Sequence, residues 1–338
     1  MTKPKTFKWG IIGLGKIARK FANDLLQISH AELHAVASRT LEKAKAFADE
    51  YGATNFYGSY EEMILQGELD AVYIATPHVF HFENTLLCLQ NKVAVLCEKP
   101  FAMNSDEVQQ MIASAKANDT FLMEAFWTRF LPATLKVLEI IKEGKIGDVL
   151  SIKADFGFKA PTDTNGRLYN INLGGGSLLD IGLYPVFLAL QILGKPDAVK
   201  AFAKLGDTKI DEECNMLFHY DAGHSAILNS SILYDTPTEA YIYGTNGMIH
   251  IPRRWHESDK FTLHLEGQSP QEISFEYNCK GYRYEAEEVM RCLSAGKKES
   301  DILPLSFSLD LMNLLDSIRK EINLVYPQDL NINSNRAS

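Results

Sequence analysis

Two different rhythms of apolar residues divide the chain. In the first third, short apolar runs alternate with stretches of helical spacing. Phe7 to Ile12 is an apolar run that stops at a glycine. Lys16 to Ile28 then sets Ile17, Phe21, Leu25 and Ile28 three or four positions apart, the spacing of one helix face. Ala31 to Ser38 reads as a second strand and Thr40 to Tyr51 as a second helix. Ala71 to Ala75 is an apolar run closed by Pro77, and helical spacing resumes from Phe80 to Leu89. Val93 to Cys97 is a further strand, stopped by Pro100. Asn104, with Glu107 three positions on, has the form of a capping box opening a helix to Ala117. Strands separated by helices of this length predict βαβ units and a parallel sheet.

After about residue 148 the rhythm changes to a period of two. Val149 to Phe158 alternates, and strands are predicted at 198–204, 215–220, 225–233, 239–243, 248–251, 261–265 and 272–277. Asp221-Ala222-Gly223 and Thr245-Asn246-Gly247 fall between strand pairs as hairpin turns. The second part therefore reads as a large, mostly antiparallel sheet, flanked by helices at Leu178 to Leu193, Tyr284 to Ser294 and Leu305 to Ile322. The fold class is α/β in two domains, 1–126 and 127–330, with a polar tail at 331–338.

Composition narrows the function. The 338 residues are 46% hydrophobic and 23% charged, a globular mixture long enough for two cores. The net charge of −9 comes from interspersed signs, with no basic stripe for nucleic acid. No apolar run reads as long enough to span a bilayer, and the N-terminus lacks the pattern of a secretory signal, so the expected setting is cytoplasmic. Five scattered cysteines without a CxxC pair read as reduced thiols. Asn229-Ser230-Ser231 matches a glycosylation acceptor, a match that carries no weight without a secretory signal.

Candidate chemistry begins at Gly13-Leu14-Gly15-Lys16-Ile17-Ala18, a G-x-G-x-x-A run between a strand and a helix. Gly13 permits a tight turn, Gly15 lets the backbone approach a diphosphate, and Ala18 lets the helix pack close to its strand. The helix N-terminus, with Lys16 and Ile17, offers N–H groups and a positive dipole end to the phosphates. The second strand ends in Ser38-Arg39-Thr40 rather than in a carboxylate. An arginine fork with two hydroxyls suits a 2′-phosphate, which points to NADP rather than NAD. Arg39 as a plain surface charge is the competing reading.

Three more segments end or follow strands. Thr76-Pro77-His78 lies where open α/β sheets bind ligands, with His78 read toward cofactor or substrate and His81 as structural. No spacing suggests a metal site. Glu98-Lys99-Pro100 places a lysine at a strand's carboxyl end. Gly174-Gly175-Gly176-Ser177 leads into a helix that carries Asp180 and Tyr184 four positions apart. A helix would set both on one face, and Pro185 disturbs that expectation. A first-turn aspartate and a core tyrosine remain the alternative there.

These residues resemble the glucose-fructose oxidoreductase and inositol dehydrogenase (Gfo/Idh/MocA) family. The resemblance lies in the glycine loop, in Glu98-Lys99-Pro100 and in Gly175-Gly176 through Asp180. Members usually carry histidine where this chain has Tyr184. The tyrosine, together with Leu96 to Pro100, Phe121 to Phe130, Leu179 to Gly182 and Tyr326 to Asp329, is similar to the dimeric dihydrodiol dehydrogenase and NADP-dependent D-xylose dehydrogenase branch. The resemblance implies a Rossmann domain and an α/β domain whose open sheet makes a homodimer. It also implies a hydride passed between NADP and a carbinol or carbonyl carbon of a small diol, polyol or sugar.

On that reading Tyr184 exchanges the hydroxyl proton, Lys99 supplies the positive charge, and Asp180 orients the lysine or the substrate. Glu98 joins the cofactor-binding set with Thr76, Pro77, His78 and Lys99. Trp127, Arg129 and Phe156 are the expected substrate wall, with His78 beside them; a packed core would hold the same residue types. Three alternatives stay open: an inositol or other sugar dehydrogenase, a non-catalytic NADP-binding sensor, and a glycosidase that uses the nicotinamide transiently.

Overall fold

The computed structural model describes residues 5–164 and 166–329. The expected tail at 331–338 lies outside them. The chain forms two compact units, Met1–Phe130 with Asn278–Leu309 and Leu131–Tyr277 with Asp310–Ser338.

The first unit opens as the alternation predicts: β1 (Phe7–Ile12), α1 (Lys16–Leu25), β2 (Ala31–Ala37), α2 (Leu41–Tyr51), β3 (Asn55–Tyr57), α3 (Tyr60–Gln66), β4 (Ala71–Ile74), α4 (His81–Gln90), β5 (Ala94–Glu98), α5 (Ser105–Ala117) and β6 (Leu122–Ala125). The strands pair in parallel in the order β3-β2-β1-β4-β5-β6. Strand order reverses between β1 and β4, where Ile12 lies level with Ile74. Their carboxyl ends thus open the crevice that such sheets use for ligands. Strands β4 and β5 are buried along their whole length, which is why they read as unbroken apolar runs. Asn104 caps α5 as expected, accepting from the Glu107 N–H at 3.0 Å.

The second unit continues with α6 (Pro132–Lys142), β7 (Val149–Gly157), a π-helical turn at Leu178–Gly182 and α7 (Leu183–Leu193). Strands β8 (Ala198–Leu205), β9 (Asp211–His219), β10 (Ser225–Ser231), β11 (Ala240–Gly244), β12 (Gly247–Ile251), β13 (Lys260–Leu265) and β14 (Gln271–Ser274) complete it. They form one sheet in the order β14-β13-β12-β11-β7-β10-β9-β8. β7 and β10 pair in parallel and the other neighbours antiparallel. The helix α7 packs on β7 and β10.

Two expectations need correction. The stretch Ile171–Leu193 is long and apolar enough by length and composition to cross a membrane, although 78% of its most apolar window is buried inside the protein as core. The interposed glycines and Asp180 hide that continuity from a reading of apolar runs. The second correction concerns α8 (Tyr282–Ser294), which belongs to the first unit, whereas the sequence places it beside the large sheet. Asp24 of α1 explains why. Its carboxylate is 1% exposed and accepts the backbone N–H groups of Lys280, Tyr282 and Arg283 at 2.9–3.3 Å. A buried charge needs such partners, and the α8 N-terminus needs an acceptor. The Leu122 N–H also donates to the Lys298 carbonyl at 3.1 Å. Helix α9 (Leu305–Glu321) spans the point at which the units divide.

Candidate active site

The loop after β1 is shaped by its neighbours. Gly13 has φ +85°, and a Cβ there would lie 2.7 Å from the Thr76 backbone nitrogen. Only glycine accepts both conditions. At Gly15 a Cβ would meet nothing within 4 Å, so the protein's own packing does not demand a glycine. Gly15 and Lys16 are exposed and Ile17 half-buried, while Ala18, on the inner face of α1, is fully buried. The α1 N-terminus has no side-chain cap and no acidic residue in its first turn. Uncapped N–H groups, a positive dipole end and an open approach fit the diphosphate of a dinucleotide.

At the end of β2, Ser38 is buried and its N–H bonds the Tyr57 carbonyl at 3.2 Å. Arg39 and Thr40 are exposed. Thr40 stands at the N-cap of α2, where its side chain makes no cap bond. Burial raises the Tyr60 phenol, and the charge of Arg39 nearby opposes it.

After β4, Thr76 and His78 are buried. The His81 ring nitrogens lie 2.8 Å from the Thr76 and Pro100 carbonyls, which ties the ends of β4 and β5 together. That is a structural role. Glu98 is buried and turned inward: the Tyr73 hydroxyl donates to it, and its Oε2 accepts the Lys99 N–H at 3.1 Å. The carboxylate therefore supports the strand end from inside. Burial pushes it up, opposed first by the ammonium of Lys99. Lys99 itself is half-buried, and its bond to Pro100 is cis.

Around β6, Glu124 is 2% exposed and accepts the Phe101 N–H at 3.1 Å; burial pushes its carboxyl up to about 7. Trp127 is buried and stacked on Tyr282 with ring centroids 4.8 Å apart. Burial lowers the guanidinium of Arg129, whose Nε and Nη1 have no hydrogen-bond partner among the described residues.

In the second unit the glycine run is held from two sides. Gly176 has φ +124°, and a Cβ there would lie 2.2 Å from Asp211 Oδ1. Asp211 is fully buried and accepts the Ser177 hydroxyl at 2.7 Å and the Leu178 N–H at 2.6 Å. Burial raises its carboxyl to about 6. The Tyr326 hydroxyl donates to the Gly175 carbonyl at 2.7 Å.

The helix after this run is not regular. The Leu183 N–H reaches the Leu178 carbonyl, five residues back, at the end of the π-helical turn. Pro185 has no N–H for the Ile181 carbonyl, which removes one α-helical bond at that place. Asp180 and Tyr184 accordingly meet different neighbours. Asp180 accepts from Arg167 Nη2 at 2.8 Å, with side-chain exposures of 13% and 37%. Tyr184 is 5% exposed and lies 5.5 Å from the Phe156 ring and 5.1 Å from the His256 ring. Phe156 and His256 are stacked at 4.2 Å.

Four residues escape the sequence reading: Tyr73, Arg167, Asp211 and His256. Tyr73 lies in an apolar run, and Arg167, Asp211 and His256 lie between the elements that the pattern predicts. Only the Trp255-His256 pair in an otherwise polar loop hints at burial. Among the described residues no His, Cys, Asp and Glu group forms a metal site.

A glycine-turned helix N-terminus at the switch point of a β3-β2-β1-β4-β5-β6 sheet, followed by a second unit with a buried phenol, defines a dinucleotide-dependent oxidoreductase. Residues 7–126 match the family model described as "Oxidoreductase family, NAD-binding Rossmann fold", and residues 134–250 match the GFO/IDH/MocA C-terminal domain. The chain belongs to this family, and it is an NAD(P)-dependent dehydrogenase acting on CH–OH groups.

Among its relatives, the trans-1,2-dihydrobenzene-1,2-diol dehydrogenase of Danio rerio is 39% identical over 333 residues, covering 95% of this chain and 98% of that protein. The enzyme of the same name in Homo sapiens is 34% identical with the same coverage. An aldose-aldose oxidoreductase from Caulobacter crescentus, complexed with glycerol, shares the fold. It has a TM-score of 0.86 at 24% identity, covering 94% of this chain and 98% of that one. A 3-ketoreductase from Actinomadura kijaniata, solved with NADP, gives a TM-score of 0.84 at 24% identity with the same coverage.

Proposed function

We propose that this protein is an NADP-dependent dehydrogenase of small diols and aldoses, oxidising one carbinol carbon. The substrate class rests on the relatives at 34–39% identity, which are named for a dihydrodiol. The chemistry rests on one observation: a tyrosine phenol buried beside an aromatic pair, at the end of a glycine run that two tertiary hydrogen bonds hold in place. When bound, the nicotinamide supplies the acceptor for the hydride. Tyr184, as the phenolate that the Lys99 ammonium favours, takes the proton of the substrate hydroxyl during oxidation and, as the phenol, returns it during reduction. Lys99 contributes an ammonium that stabilises negative charge developing on the substrate oxygen. Asp180, paired with Arg167, orients a substrate hydroxyl. Trp127, Phe156, Arg129 and His78 are the further residues assigned to substrate contact.

For the cofactor, Gly13, Gly15, Lys16 and Ile17 hold the diphosphate, and Thr76, Pro77, His78 and Lys99 the nicotinamide side. Ser38, Arg39 and Thr40 hold a 2′-phosphate, which is why NADP is preferred. The exposed guanidinium of Arg39 and the absence of a carboxylate at the end of β2 support that preference.

Lys99→Met and Tyr184→Phe should each lower turnover at least ~100-fold while NADPH still binds, the usual scale for losing an acid–base group. Steady-state kinetics with NADP and trans-1,2-dihydrobenzene-1,2-diol checks this; near-normal turnover in either variant removes that residue from the chemistry. Arg39→Asp should reverse the cofactor preference, read as the ratio of kcat/KM for NADP over NAD. An unchanged ratio refutes the assignment of Arg39.

The assembly proposed is a homodimer through the large sheet. Phe202, Leu217 and Ile227 are exposed at 77%, 48% and 50%, and Leu217 lies directly opposite Ile227 in the pairing of β9 with β10. Five free thiols, four of them buried, support a reducing, cytoplasmic setting.

A further inference from the structure

The helix that carries Asp180 and Tyr184 does not cap itself. Ser177 stands at its N-cap and makes no cap bond of its own. Asp211, at the start of β9, supplies the missing acceptor: its Oδ2 takes both the Ser177 hydroxyl at 2.7 Å and the Leu178 N–H at 2.6 Å. Ser230 of β10 stands behind this contact. Its hydroxyl lies 2.9 Å from that of Ser177, and a Cβ at Gly182 would lie 2.7 Å from the same oxygen. Ser177, Asp211 and Ser230 are all fully buried.

We infer that Asp211, with Ser230 behind it, is the positioning residue of this helix, setting its rotation and with it the placement of the Tyr184 phenol. The role deepens the reading of Tyr184 as the proton-exchanging group and rests on it. Its physical basis is the extra residue in the π-helical turn at Leu178–Gly182. Each residue advances an α-helix by about 100°, so a turn that slipped back to α-helical winding would swing everything beyond it by that angle. Tyr184 lies two residues past the turn and would leave the Phe156 and His256 rings against which it packs. Positions five apart stand about 140° from each other around an α-helix. The wider turn instead brings 177 and 182 to one side, where a single serine hydroxyl meets both. Charge adds to the hold. Burial raises the Asp211 carboxyl to about 6 while the bonds from Ser177 and Leu178 pull the other way. Above neutral pH it is therefore an ionised acceptor at a helix N-terminus, where negative charge is favoured. A first turn released from this hold costs rate more than binding, because a reacting group displaced by about 1 Å can lose ~100-fold.

The experiment follows NADP reduction by trans-1,2-dihydrobenzene-1,2-diol in the parent enzyme and in Asp211→Ala, Asp211→Asn, Ser177→Ala and Tyr184→Phe, with NADPH binding read by fluorescence titration. Asp211→Ala should lower kcat at least ~10-fold while the KM for the diol and the Kd for NADPH stay within about threefold of the parent. Asp211→Asn keeps one oxygen as acceptor and should recover most of that loss, to within about threefold of the parent kcat. An Asp211→Ala kcat equal to the parent's, or an Asp211→Asn variant as slow as Asp211→Ala, overturns the assignment. A loss carried by NADPH binding instead of kcat overturns it too, because that is the mark of a general structural role. Should Asp211→Ala fail to fold, judged by its circular dichroism, Ser177→Ala decides: a kcat at least ~3-fold lower supports the hold, and the parent kcat overturns it. Full activity in Tyr184→Phe overturns the functional reading itself, a result separable from every Asp211 outcome. Fluorine NMR of fluorotyrosine-labelled protein needs no substrate. The resonance that Tyr184→Phe removes should move in Asp211→Ala and return in Asp211→Asn; an unmoved resonance overturns the placement even where the parent is inert toward the diol.

Discussion

Glu124 shows how burial decides charge at a single position. Its carboxyl titrates at about 7 in the folded protein, against an ordinary value of 4.5, because burial outweighs the Phe101 N–H bond. Between those values the native state holds a proton that the unfolded chain has lost. Stability from this group is therefore full below pH 4.5 and is lost as the pH rises through 7. The shift corresponds to on the order of 3 kcal/mol. Glu98 and Asp211 are raised in the same direction, so the parent's slope is shared. Glu124→Gln keeps the acceptor for Phe101 and removes the titration. Urea denaturation at pH 5 and pH 8 should show the variant losing less stability over that interval than the parent; equal losses would refute the assignment.

The same scale separates what the sequence disclosed from what it hid. Gly13, Lys99 and Tyr184 stand out as candidates in the sequence because each sits at a fixed offset from a strand or helix end. Arg167, Asp211 and His256 do not, because each meets its partner across 13, 34 and 72–100 residues of chain. For Glu98, its place beside Lys99 says nothing about which way its side chain turns; the carboxylate is buried against Tyr73.

At the level of elements, pattern located the helix that begins near Leu178 but not its register. Apolar spacing reports a buried helix whatever its hydrogen bonding, and the missing N–H of Pro185 then changes the turn before it. The elements β3 and β6 escaped because three or four residues cannot establish a period. The open face of the large sheet carries the next prediction. Exposed apolar side chains stand on three neighbouring strands, with Leu217 of β9 opposite Ile227 of β10 and Phe202 on β8 level with Asn215. Phe202→Lys combined with Ile227→Lys should abolish the proposed dimer, as read by sedimentation equilibrium at micromolar concentration. A parent protein that already sediments as a monomer would exclude the sheet-mediated dimer.

For the whole molecule, the alternation of apolar runs and amphipathic stretches was enough to indicate a parallel sheet followed by a mostly antiparallel one. The dinucleotide-binding architecture followed from the glycine loop in that context. What no local pattern disclosed was that the first unit closes with residues 278–309. The pairing of Asp24 with the start of α8 joins positions 256–259 residues apart, and nothing near either one announces the other.

That return has a consequence for how the protein is made. On a ribosome the N-terminal strands emerge first, yet the carboxylate of Asp24 waits for partners that arrive only after the entire antiparallel sheet has been synthesised. The first domain to appear is therefore among the last to be completed.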